Sequence, residues 1–343
     1  MPKEFSSAPG FKATVGSQTF EQVSPSGLRS LMIEDHVDMA GFCTIIVGCS
    51  ETDPAWGFKI GDPVEVFMRS SDHALFKGEV ISIDHSFQLR GTSSLTIRCM
   101  DNVHRLGRGR KTRFWNNMMD SDVASEVGAE CGLEVEIDPT PNKHPYILQR
   151  NESNIAFLKR LASRNNLQVR VELGKLWFKK ATFSGEAIKV AMGENLVSMN
   201  MAYNSSAQVQ KVVVQGWNIH MKMKIVGQCT AAEVTKIGGG EIGAELSNVF
   251  GESTAYITDI PVSSQAMANE IAKSEMERLA RQFCRGRCVI RGNNFMRAGT
   301  SVEFSGFSEG LNGTFYVIST RHIINPQTGY TTDFSFCSNT MGA

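Results

Sequence analysis

Alternating apolar and polar residues, the period of a strand with one buried face, dominate both ends of the chain, and helical periodicity interrupts them in the middle. Alternation runs through Ile33-Glu34-Asp35-His36-Val37 and ends a first block at Phe42-Cys43-Thr44-Ile45-Ile46-Val47, with turns predicted at Pro25-Ser26-Gly27 and Asp53-Pro54. With the stretch from Gly61 to Cys99 this makes five or six strands, enough for a small closed barrel.

The 61–99 stretch has a degraded copy at 299–337. Gly61-Asp62-Pro63-Val64-Glu65-Val66 corresponds to Gly299-Thr300-Ser301-Val302-Glu303-Phe304, and each continues to a glycine, Gly78 or Gly313. Val80 to His85 then answers to Val317 to His322, and turns at Gly91-Thr92 and Gly329-Tyr330 lead into Leu95 to Cys99 and Phe334 to Cys337. Single-residue shifts are needed to hold this register, so the order of elements carries the likeness. The chain contains two related β-modules far apart in sequence.

Between them the period changes to that of helices. A helix is predicted from Asp122 to Cys131, capped by Ser121 and stopped by Gly132, and a second opens on Ser153 with Ile155, Leu158 and Ala162 on one face. A hairpin turning at Gly174-Lys175 follows. A long helix is expected from Ser264 to about Cys284, with Ala268, Ala272, Met276, Leu279 and Phe283 as its apolar stripe and Lys273, Glu277 and Arg281 facing water. The reading is mainly β with α+β insertions. It has a first barrel over 1–104, an inserted α+β domain over 105–196, leading strands of a second barrel over 197–230, an insertion with the long helix over 231–286, and the rest of the second barrel over 287–343.

Charge narrows the function. Lys plus Arg and Asp plus Glu are both 35, which gives no basic excess for gripping nucleic acid and suits a part destined for an assembly. The basic run Arg105, Arg108, Arg110, Lys111, Arg113 beside Phe114-Trp115 has the composition of a nucleic-acid contact, but a solvated linker or subunit contact accounts for it without further support from the chain. No window reaches the length of a membrane span, and the N-terminal residues have no signal-peptide core. The eight scattered cysteines read as buried free thiols of a reducing compartment.

Candidate chemistry is sparse. Cys284-x3-Cys288 lacks a second pair at zinc spacing, and Gly238-Gly239-Gly240 lacks the lysine of a phosphate loop and reads as a flexible connection. His85 and His322 fall at matching places in the two modules, where a strand-end hydrogen bond inherited by duplication is expected. Glu152 fits helix-start electrostatics. No catalytic, cofactor-binding or metal-binding residue is expected; paired carboxylates leave no trace in sequence, so a glycosidase or peptidase, such as a peptidoglycan hydrolase, is the alternative, followed by a barrel that binds nucleic acid or carbohydrate.

The segment Gln149-x-x-Glu152-Ser153-x-x-x-Phe157-Leu158-x-Arg160-Leu161-Ala162 resembles the signature of phage late-control protein D, the tail baseplate hub family related to the hub part of type VI secretion spike proteins. Gly216-Trp217-Asn218, the 266–283 helix, and the closing pattern Gly313-Thr314-Phe315-Tyr316-Val317…His322…Gly329-Tyr330 fall in the family's order. The family-motif residues are thus Gly61, Gln149, Glu152, Ser153, Phe157, Arg160, Trp217, Gly299, Gly313, His322 and Tyr330. The resemblance implies a homotrimer whose six barrels seat a hexameric tail tube or tube initiator and whose other end receives a trimeric spike. It also implies baseplate wedge or peptidoglycan-binding adaptor partners, no cofactor, assembly in the bacterial cytoplasm, and a place in the baseplate of a virion or tail-like particle. The spike is expected as a separate protein, because the chain stops just after the second module.

Overall fold

A computed structural model describes residues 10–24, 27–48, 57–69, 71, 73–89, 93–183, 186–219 and 221–342. The expected turns at Pro25-Ser26, Asp53-Pro54 and Gly91-Thr92, and Cys49, lie outside them.

The chain is mainly β. Its first module comprises β1 (Phe11–Val15), β2 (Gln18–Phe20), β3 (Leu28–His36), β4 (Met39–Gly48), β5 (Pro63–Met68), β6 (Ala74–Ser86) and β7 (Ser94–Met100). These pair in the order β3-β4-β7-β6-β5-β1-β2, antiparallel throughout. Alternation decides which face is buried: Leu31 and Ile33, Ile45 and Val47, and Val64 and Val66 all point into one core.

The middle of the chain builds a second core. It contains α1 (Val103–Gly107), β8 (Lys111–Met119), α2 (Asp120–Glu130), β9 (Glu134–Ile137), β10 (Lys143–Glu152), α3 (Asn154–Ser163), β11 (Gln168–Glu172) and β12 (Lys175–Lys179). Helix α2 starts two residues before the expected position, and Ser121 is not its cap. The Ser121 backbone N–H instead donates to the Thr140 hydroxyl at 3.1 Å. Ser153 does cap α3, accepting from the Ala156 N–H at 3.4 Å. The β11–β12 hairpin turns at Leu173-Gly174, one residue before the expected Gly174-Lys175, with both at positive φ (51° and 89°) as this two-residue turn requires.

The remaining elements are β13 (Ile188–Ala191), β14 (Leu196–Tyr203), β15 (Lys211–Asn218), β16 (Met223–Thr230), α4 (Gly243–Leu246), β17 (Thr254–Ile257), α5 (Gln265–Ala280), β18 (Cys284–Arg291), β19 (Ser301–Ser305), β20 (Gly313–Asn325) and β21 (Gly329–Ser338). The second module pairs in the order β14-β18-β21-β20-β19-β13. Its leading strands are therefore β13 and β14, and the expected assignment of Val212 to Ile225 to this role is corrected. Those residues form a separate sheet, β16-β15-β17, which packs on α5. Close approach explains the packing: a Cβ on Gly227 would lie 2.2 Å from the Ala268 carbonyl carbon, so only glycine lets α5 lie directly on β16.

Two further expectations change for α5. Glu277 does not face water; it is buried and accepts from Asn166 Nδ2 at 2.6 Å and the Thr235 hydroxyl at 3.2 Å. Arg281 reaches Asn166 Oδ1 at 3.4 Å. The polar side of α5 is thus a docking face for the end of α3.

Candidate assembly interface

Residue pairing fixes how the two modules correspond. In β6–β7 the register shifts between Val80 and Ser82, and in β20–β21 it shifts between Val317 and Ser319. In β3–β4 the shift lies between Leu28 and Ser30, and in β14–β18 between Leu196 and Ser198. The Gly61 N–H donates to Val80 O at 2.8 Å and the Gly299 N–H to Val317 O at 2.8 Å, with φ of 91° and 88°. These bulges and turns place β3, β4, β5, β6 and β7 over β14, β18, β19, β20 and β21. One detail of the sequence register is corrected: Val64 faces Gly78 while Val302 faces Phe315, so Gly78 answers to Phe315 and not to Gly313. The outermost strands also differ, since β1 runs antiparallel to β5 but β13 runs parallel to β19.

Pairing does not stop at either module. Strand β20 pairs with β3 from Ser319–His36 to Ile324–Leu31, which makes a single thirteen-stranded sheet. The β20–β21 hairpin end carries Ile324 and Tyr330 into the core of the first module. Polar contacts hold the same seam. Arg321 Nε donates to Glu34 Oε1 at 2.6 Å, the Ala298 N–H to Asp35 Oδ2 at 3.2 Å, and the Val37 N–H to Ile318 O at 3.0 Å.

His322 and Tyr330, two of the residues on which the resemblance was read, lie inside this seam. His322 is fully buried, with Nε2 at 3.0 Å from Met296 O and Nδ1 at 2.9 Å from the Tyr330 hydroxyl. A carbonyl only accepts, so Nε2 carries the proton, and Nδ1 accepts from Tyr330. Burial and the nearby Arg297 charge push the imidazole pKa down to about 3, so the ring is neutral. His85, at the matching register, is exposed and lies against Phe87 with ring centroids 6.0 Å apart. The shared hydrogen-bonding role expected of the two histidines is therefore absent.

The other motif residues lock a strand-to-helix corner. Gln149 is buried at the end of β10 and accepts from Arg113 Nε at 2.8 Å. It also donates to Glu152 O and Asn154 Oδ1, both at 3.0 Å. Arg160 clamps the corner from α3, donating to Leu148 O at 2.6 Å and Glu152 Oε1 at 2.7 Å. Phe157 stacks on Trp115 at 5.2 Å, and the Arg160 guanidinium covers its ring at 5.3 Å. Trp217 is brought to none of these contacts: it stands 59% exposed near the end of β15.

The weaker sequence signals resolve into packing. Arg105 pairs with Glu79 and Lys111 with Glu130, while Arg110 donates to Asn151 O at 3.1 Å, so the basic run is largely taken up inside the chain. The glycine run is no loose connection. Cβ atoms on Gly238 and Gly240 would meet Thr340 Oγ1 at 2.8 Å and Met341 O at 2.0 Å, and Asn339 Oδ1 accepts from the Ile237 N–H at 2.9 Å. Cys284 and Cys288 lie on strand β18, not a helix end, and burial pushes both thiols up to about 12. Asp120, unnoticed in the sequence, is a fully buried carboxylate: burial raises its pKa, but hydrogen bonds from His144, Arg164 and Asn165 outweigh this and hold it below the usual range. A groove of about 370 Å³ opens on the seam, where the carboxylates Glu34 and Asp333 are tied to Arg321 and Arg287.

Two β-modules joined by one sheet, with α+β units set between them, make the fold of a phage tail protein. The tail protein of prophage MuSo2 from Shewanella oneidensis has this fold at a TM-score of 0.74 and 14% identity, over 96% of this chain and 98% of that one. The tail protein of Neisseria meningitidis MC58 has it at 0.73 and 14%, over 96% and 97%. The E. coli c3393 protein, described as a component of the type VI secretion system, shares it at 0.65 and 10%, over 95% of this chain and 76% of that one. Residues 58–326 match the model of the family described as the Alg8 N-terminal domain, well over half of the chain, and the chain belongs to that family. Its sequence is 28% identical over 259 residues to the "Probable baseplate hub protein" of Escherichia phage P2, a match spanning 65% of each protein. It is 24% identical over 370 positions to the "Probable baseplate hub protein" of Escherichia phage 186, over 95% of this chain and 92% of that one. These relatives bear out the baseplate hub resemblance read from the 149–162 and 313–330 motifs.

Proposed function

We propose that the chain works as a non-enzymatic symmetry adaptor in the baseplate. Three copies form a ring; their six modules present near-equivalent surfaces to a hexameric tail tube or tube initiator, and the other end receives a trimeric spike. The observation that carries this reading is the correspondence of five strands in each module, with matching bulges in β3–β4 and β14–β18 and in β6–β7 and β20–β21. A threefold ring matches a sixfold partner only if each subunit carries two similar surfaces. Wedge or peptidoglycan-binding adaptor proteins are the remaining partners, and assembly takes place in the bacterial cytoplasm.

The basic run speaks against the nucleic-acid reading, since its charges serve ion pairs and carbonyls within the chain. The hydrolase reading has no observation of its own: the carboxylates Glu34 and Asp333 of the seam groove hold arginines. Mixing the purified chain with its tube and spike proteins and measuring complex mass tests the proposal. Co-assembly at three hub chains per six tube chains is expected; a hub that stays single in the presence of both partners overturns it.

A further inference from the structure

The bond between modules within the chain is a head-to-tail bond. It joins the β3 edge of one module to the β20 edge of the other. Each module has the equivalent of both edges, so one of each remains unused: β14, which corresponds to β3, and the latter half of β6, which corresponds to β20. Among the described residues β14 pairs only with β18, and β5 leaves β6 at Glu79.

Burial separates the used edges from the unused ones. Leu31 and Ile33 on β3 are 1% and 2% exposed beneath β20, whereas Met199 and Met201, their counterparts on β14, are only half-buried at the rim of the second core. Ile324 is 1% exposed because it fills the core of the neighbouring module, whereas its counterpart Phe87 is 73% exposed, with Leu89 beyond it at 97%. His322 is buried and His85 is not. A bare strand edge beside an apolar hairpin end is a template for pairing.

We infer that the β14 edge of one copy pairs antiparallel with the β6 edge of a second copy of this chain, in the register of β3 with β20. Carrying the bulge-matched correspondence across places Phe87 opposite Met199, His85 opposite Met201 and Ile83 opposite Tyr203. The Phe87 hairpin end then enters the second module's core in the neighbouring copy, as Ile324 enters the first module's core within the chain. Each copy offers one edge of each kind, so the contact is heterologous and propagates until it closes. The inference rests on the proposed function only for the number of copies at closure.

The test is a cysteine pair in the full chain, His85→Cys with Met201→Cys, oxidised with diamide and run without reductant. Residues directly opposite in an antiparallel pair bring their Cβ atoms to about 5 Å, close enough to link with small adjustment. Linked species up to a closed trimer are expected. The shifted pair His85→Cys with Asn200→Cys, whose thiols project from opposite faces, is expected to stay unlinked. Phe87→Asp, at an exposed position that should leave folding intact, is expected to raise the concentration for half-assembly at least about tenfold. A trimer that neither links nor responds to Phe87→Asp overturns this interface and leaves the trimer standing. An open ladder of dimers, tetramers and longer species keeps the interface and overturns threefold closure. A strict monomer that never links overturns both.

Discussion

Nδ1 of His322 lies 2.9 Å from the hydroxyl of Tyr330, and the ring of that tyrosine belongs to the core of the other module. A hydrogen bond within one hairpin thus stiffens the wedge by which the second module enters the first. Tyr330→Phe is expected to cost about 1 kcal/mol, since it removes one buried hydrogen bond but leaves the Thr332 hydroxyl, 3.3 Å from Nδ1, as a second donor. Tyr330→Ala is expected to cost about 3–5 kcal/mol by opening a cavity at the seam. Urea unfolding followed by tryptophan fluorescence and by circular dichroism checks both values, with the two modules losing structure together.

The same histidine predicts acid sensitivity. In the folded chain its pKa is lowered to about 3 from 6.5, so only the unfolded chain gains this proton as pH falls below 6.5. Stability is therefore lost progressively between pH 6.5 and about 3, by about 1.4 kcal/mol per pH unit from this group. Asp101 acts in the opposite sense: burial raises its carboxyl to about 7 from 3.8, so the stability it confers at low pH is lost as pH rises from about 4 through 7. Unfolding curves of the parent and His322→Gln across pH 4–7 isolate the first group, and the gap between them should narrow as pH falls.

Gln149→Leu keeps size but removes three hydrogen bonds at a buried corner, those to Arg113 Nε, Glu152 O and Asn154 Oδ1, while Arg113 and Asn154 keep each other at 3.2 Å. A loss of about 2–3 kcal/mol is expected, measurable by thermal or urea unfolding. Glu152→Gln, at the more exposed end of the same network, should cost less than about 1 kcal/mol.

Gly227→Ala puts a methyl group into the backbone of α5 at Ala268. A loss of about 1–3 kcal/mol is expected, with faster amide exchange in β16 and α5 than in the two modules.

The duplication was legible because strand alternation and the Gly61/Gly299 turns survive divergence. Both glycines are held at positive φ that other residues resist. The Ser153 cap and the existence of the β11–β12 hairpin were legible for the same local reasons, though its turn falls one residue earlier because Leu173 shares the positive φ of Gly174. What escaped was everything decided by long-range pairing. Val212 to Ile225 have the pattern of any buried strand, and only Gly227 hinted that a helix, not the second module, would cover them. Glu277 looked solvent-facing on a helical wheel, because its partners Asn166 and Thr235 lie on distant segments. The seam was legible only as the matched positions of His85 and His322, whose opposite burial no local pattern encodes.

Two near-equivalent modules per chain are proposed to let a threefold ring present six similar surfaces. Electron-microscopic class averages of the assembled purified chain, viewed down the ring axis, test it most directly. Three chains per particle with six near-equal lobes on the tube-facing side are expected. Particles with three lobes, or with no ring at any concentration, would contradict it.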